Sequence, residues 1–154
     1  MPSRSLVLNM RGSGGAAQRR PPVTFAPLLA ASPSIQLHAF AATGAFLLGA
    51  VQLAAPKGTL PHRIVGSVWV LLMLVVGITA FFIHQLRIWG PWSPIHLLAI
   101  FTLVMLPVAV WRAHQHAVEQ HRRAMLGLFF GGLVIAGLFT FMPGRIMHAV
   151  VFGG

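Results

Sequence analysis

The chain of 154 residues is 56% hydrophobic and only 8% charged, against about 25% charged residues in an average soluble domain, so lipid has to cover much of its surface. Eleven Lys/Arg face a single acidic residue, Glu119, and there is no cysteine. This excludes disulfides, thiolate metal sites, cysteine nucleophiles, paired-carboxylate catalysis and carboxylate calcium sites. The length fits one domain.

The basic residues flank apolar runs instead of gathering on one polar face. That pattern argues against nucleic acid as a partner. It points to the lipid bilayer and its anionic headgroups, worth about 1 kcal/mol per Lys or Arg near the surface.

Residues 1–34 are rich in Gly, Ser, Pro and Arg without a sustained period, which predicts a disordered N-terminal arm. Pro21, Pro22, Pro27 and Pro33 interrupt both a signal-peptide core and an amphipathic targeting helix. Residues 35–154 are expected to form a domain of four membrane-spanning helices. The first span covers about 35–55, with Ser34 as N-cap and Pro56 as stop. Ala41, Ala45 and Gly49 lie four residues apart along it and would let another backbone approach closely.

The second span covers about 62–84, after the polar turn PKGTLP. Trp89 and Trp92 follow it at the level of an interfacial aromatic belt. The third covers about 94–113, opened by Ser93-Pro94, with Pro107 expected to kink it. The fourth covers about 120–142 and ends at Pro143-Gly144. Gly127 and Gly131 form a GxxxG motif in it, a face suited to packing against a second copy or another subunit. Each span has the ~20 residues needed to cross a ~30 Å hydrocarbon core. Short connections make the fold all-α, an integral membrane up-down-up-down four-helix bundle. Both ends of the domain then share one side, A, and the turns near 56–61 and 114–119 share the other, B. The Lys/Arg placement does not set which side is cytoplasmic.

The histidines carry the one chemical pattern. His62 follows His38 by 24 residues, and His121 follows His96 by 25. The layout suggests an internal repeat of two helical hairpins. His38 and His96 open helices on side A; His62 and His121 open helices on side B. First and third helices are diagonal in such a bundle, as are second and fourth. Inward-facing imidazoles would therefore pair once per membrane face. Such a pair can ligate haem iron axially through neutral ring nitrogens, so haem b is the cofactor in view. Arg63 and Arg122 would meet its propionates or, equally, lipid headgroups. Gly66 would leave room for a flat ring on the stripe His62–Gly66–Trp69–Met73–Gly77.

Other roles stay open at this point. A histidine at a helix mouth is also an ordinary interfacial anchor. The same residues could move a proton or small solute, or the chain could be a structural or assembly subunit. His114, His116 and His121 form HxHxxxxH, a spacing that could hold zinc or copper. No phosphate loop, nucleophile elbow or zinc-protease helix is present.

The segments HAFAATGAFLLGAVQLAAPKGTLPHRIVGSVWVLLM, SPIHLL, HRRAM and AGLFTFMPGR resemble the predicted bacterial membrane proteins of domain-of-unknown-function family 2306, over about residues 36–147. The resemblance implies four transmembrane helices in a bacterial inner membrane, multi-pass, and no established activity. The alternating histidines are similar in outline to diheme transmembrane b-type cytochromes. They depart from these in lying nearer the helix ends and in lacking further spans.

Overall fold

A computed structural model describes residues 23–83 and 94–152. The elements are α1 (Ala26–Leu29), α2 (Pro33–Ala54), α3 (Leu60–Ala80), α4 (Pro94–His114), α5 (Val118–Thr140) and α6 (Ile146–Phe152). Among the described residues there is no strand, and α2 to α5 are each long and apolar enough to cross a membrane. The buried share of their apolar windows never exceeds 33%. Side chains such as Leu37, Phe40, Leu47, Leu71, Val104 and Leu138 are exposed on the outside. Water would penalise that surface at about 25 cal/mol per Å², whereas a bilayer accepts it.

Local chemistry accounts for the helix ends. Ser32 is extended and Pro33 occupies the first turn of α2, where a missing N–H costs nothing. The cap thus lies two residues before the expected Ser34. The α2–α3 turn contains Gly58 at φ 78°, a conformation that favours glycine. The Lys57 ammonium donates to the Leu53 carbonyl at 2.6 Å, a favourable place for a cation at a helix C-terminus. Thr59 then caps α3, its hydroxyl accepting from the His62 N–H at 3.3 Å. Past α5, Gly144 at φ 83° turns the chain into α6.

The helices form a ring. α2 packs on α3, α3 on α4 and α4 on α5; neither diagonal pair brings Cα atoms within 8 Å. The ring is closed by one segment of α5. Residues Leu128–Ile135 are wound as a π-helix, and this stretch meets both α2 and α4. It includes the pair Gly131-Gly132. A Cβ on Gly132 would lie 3.4 Å from Met73 Cε and 3.6 Å from Thr102 Oγ1, so the wider turn faces core side chains of α3 and α4. Nothing in the apolar period of the sequence marked this winding. α4 runs as one helix through Pro107, which faces outward. The ring nitrogen has no N–H for the Leu103 carbonyl, but the element is not broken.

The centre of the bundle is filled by Ala45, Trp69, Met73, Leu106, Ala109, Leu128, Phe129 and Leu133. The Trp69 indole N–H donates to the Ala45 carbonyl at 2.8 Å. Phe129 stacks on Phe46 with centroids 5.7 Å apart and lies against Gly49, where a Cβ would meet its ring at 2.6 Å and Trp69 Nε1 at 2.8 Å. Of the expected stripe, Trp69, Met73 and Gly77 are buried, and His62 and Gly66 are half-buried. A small clasp lies on side A. Residues 26–29, within the stretch expected to be disordered, are helical. The Thr24 N–H donates to the Val150 carbonyl of α6 at 3.2 Å. The Gln36 amide donates to the Leu29 and Ala31 carbonyls, each at 2.9 Å. The remainder of the arm, residues 1–22, and the Ser93 cap, Trp89 and Trp92 lie outside the described residues.

The Gly49 junction has a measurable consequence. Gly49→Ala should lower stability by about 1–3 kcal/mol, the usual cost of overpacking. Gly127→Ala, where nothing lies within 4 Å of the added carbon, should cause no loss. Thermal unfolding of the two variants in the same detergent checks this.

Candidate functional site: two histidine layers

On side A, α2 brings His38 against the end of α3. His38 Nδ1 lies 3.0 Å from Thr79 Oγ1. The Thr79 hydroxyl has a single proton, which it donates to the Val75 carbonyl at 2.6 Å, with the Val76 carbonyl also at 3.2 Å. Its oxygen must therefore accept from His38. This leaves His38 with Nδ1 protonated and Nε2 carrying the lone pair. His96, the first-turn histidine of α4, is 2% exposed. The Phe81 ring lies tilted beside it, with centroids 5.9 Å apart.

On side B, His121 of α5 places Nδ1 2.8 Å from the Ala109 carbonyl of α4. A carbonyl can only accept, so the neutral ring again holds its proton at Nδ1 and its lone pair at Nε2. His62 is different. Its backbone is secured at both ends, by the Thr59 cap and by the Gln52 amide of α2, which donates to the His62 carbonyl at 2.9 Å. Its ring Nδ1, however, is sealed from solvent and has no hydrogen-bond partner. A buried polar atom left in that state costs about 1–3 kcal/mol. Such an atom is an outlier in a folded protein.

The hydrogen bonds also fix the register. The start of α2 lies beside the end of α3, the end of α2 beside the start of α3, and the end of α4 beside the start of α5. About 17 residues of α3 separate His62 from Thr79, so the two levels stand ~25 Å apart. Trp69, Met73, Leu106 and Leu128 fill the space between them.

The other sequence candidates are placed as follows. Arg63 and Arg122 are exposed on side B. Arg122 lies 4.0 Å from Glu119 and Arg123 lies 2.8 Å from it, in solvated i,i+3 and i,i+4 pairs that add little stability. His114 is the last residue of α4, and His116 belongs to the α4–α5 turn. The His114 ring holds the Val110 carbonyl at 2.9 Å, and His116 takes the left-handed conformation at φ 57°. Among the described residues no three His, Asp or Glu side chains come together as a metal-ion cluster. Porphyrin iron needs only two protein ligands, because the macrocycle supplies the rest. His148 lies 5.0 Å from Phe152 within α6; His84 and Arg87 are outside the described residues.

Reading along the sequence finds the four histidines but misses what orients them. Thr79 and the Ala109 carbonyl belong to different helices from the rings they hold, and Gln52 reads as one more polar residue near a helix end. Only the α3 face running from Trp69 through Met73 and Val76 to Ala80 offered a hint that Thr79 lies close to the buried side.

Residues 35–150 match the family of predicted membrane proteins designated DUF2306, and the chain belongs to that family. No curated protein and no solved structure matches it.

The tautomers are directly testable. Nitrogen-15 NMR of the neutral protein should report His38 and His121 as Nδ1–H tautomers. Thr79→Val should abolish that preference at His38 and leave His121 unchanged. An Nε2–H ring at His121 would contradict the Ala109 bond.

Proposed function

We propose that the protein is a small membrane electron carrier that binds b-type haem in two bis-histidine layers, His38 with His96 and His62 with His121. The observation that carries the reading is the state of the ring nitrogens. In each layer one imidazole is locked with Nδ1 donating to a protein acceptor and Nε2 left as a lone pair. This is the outer-shell arrangement that orients metal-ligating histidines. Each such ring has a diagonal counterpart: buried His96 on side A, and on side B His62, whose sealed and unpartnered Nδ1 marks an environment that is incomplete without a further group. Haem supplies a one-electron iron couple. The chain's own contribution is to hold the rings, exclude water from them and separate the two levels. Arg63 and Arg122, at the side-B rim, are placed to meet propionates or anionic headgroups.

The packed middle favours electrons over a transported solute. A proton or solute path needs polar groups or water, and the core between the layers is lined by Trp69, Met73, Leu106 and Leu128. We place the protein in the inner membrane of a bacterial cell. The open Gly127 and Gly131 positions suit contact with a second copy or another subunit.

Reduced-minus-oxidised absorbance of protein purified with haem supplied is the test. The expected result is b-type bands with two haems per chain. His62→Ala or His121→Ala should remove one haem, and His38→Ala or His96→Ala the other. Absence of bands overturns the reading, and histidine-dependent proton flux in vesicles without a chromophore would replace it with transport.

A further inference from the structure

The two ends of the bundle differ in chemistry. At side B the helix ends and turns carry Lys57, Arg63, Arg122 and Arg123, all exposed, as suits a face that meets water. At side A, α1 packs on both α2 and α6, and α6 packs on the end of α5. The clasp therefore ties the start of the first span to the end of the last. From Val23 to Leu37 no residue is charged, and His148 is the one titratable side chain of α6.

The clasp has an inner and an outer side. Leu28 and Val150 are buried. Phe25 and Leu29 lie one turn apart, which puts them on one face of α1, and they are left 60% and 61% exposed. Along the chain this apolar surface is continuous with the outside of the spans. Leu37 and Phe40 follow it on α2, and Leu138 and Phe139 lie at the end of α5, all exposed.

The backbone of the clasp supplies its own partners. The carbonyls of Phe25, Ala26 and Leu28 accept from the N–H groups of Leu29, Ala30 and Ala31. Those of Leu29 and Ala31, of the kind a helix end leaves without intrahelical partners, accept from the Gln36 amide. The Val150 carbonyl of α6 accepts from the Thr24 N–H. A solvent-facing turn can leave such groups to water, whereas an element at the edge of the hydrocarbon has to satisfy them internally. Depth follows from length. Spans of 21–23 residues extend ~32–35 Å, about the thickness of the hydrocarbon core. The joints of α1 with α2 and of α5 with α6 then fall at its side-A edge.

We propose that α1 and α6 are an interfacial clasp docked on the side-A leaflet, with Phe25 and Leu29 inserted among the acyl chains of phospholipid. An apolar face at this level enters about 5–10 Å below the headgroup boundary. The docking depends on neither the histidine pairs nor haem.

The chain has no cysteine, so single cysteines can be spin-labelled in the full-length protein, reconstituted in phosphatidylcholine vesicles. Labels at Phe25→Cys and Leu29→Cys should collide several-fold more often with oxygen than with a water-soluble nickel complex, as should a label at Leu37→Cys on the outside of α2. A label at Gln115→Cys, in the side-B turn, should show the reverse. All four positions are exposed, so the label displaces no core side chain. Nickel access at positions 25 and 29 equal to that at 115 overturns the proposal in favour of a water-facing cap. Protection from both reagents also overturns it, because another part of the chain or a second copy then covers the face.

Discussion

The bundle is held closed at one junction. Gly49 has no side chain, so the Phe129 ring can lie against α2, and the Trp69 indole can reach the Ala45 carbonyl one turn away. Three helices meet there. A Cβ at Gly49 would lie 2.6 Å from Phe129, and the ring would have to move away. α5 would then lose its main hold on α2. Lipid offers no hydrophobic drive between helices, so association depends on close packing and on satisfying polar groups. The junction does both, by letting a large aromatic face approach backbone and by giving the indole N–H an acceptor.

That junction divides the molecule into two levels. Above and below it, polar side chains sit near the membrane faces, and the His38 and His121 rings are held by what a neighbouring helix offers. His38 finds a hydroxyl whose own proton is already committed. His121 finds a carbonyl. Both acceptors come from the helix next to the ring in the bundle, and both force the same tautomer. His62 finds no such partner for Nδ1, which is buried without a hydrogen bond.

The two hairpins are similar in layout. In the first, His38 of the leading helix is anchored across the hairpin by Thr79; in the second, His121 of the trailing helix is anchored by the Ala109 carbonyl. His114 and His116 serve the α4–α5 connection itself, through the Val110 carbonyl and a left-handed backbone.

The four spans, their order and their antiparallel course were legible from composition and hydropathy. A run of apolar residues long enough to cross lipid has one satisfactory backbone solution, the helix, and short turns admit one topology. The family resemblance and the histidine positions at alternate faces were equally visible in the chain. Tertiary structure alone decided which polar groups answer the His38 and His121 imidazoles, because the partners Thr79 and Ala109 belong to other helices and carry no periodic mark. It also decided the π winding of Leu128–Ile135 and the junction at Gly49, where the Phe129 ring lies against α2, a matter of shape between helices that no single helix contains.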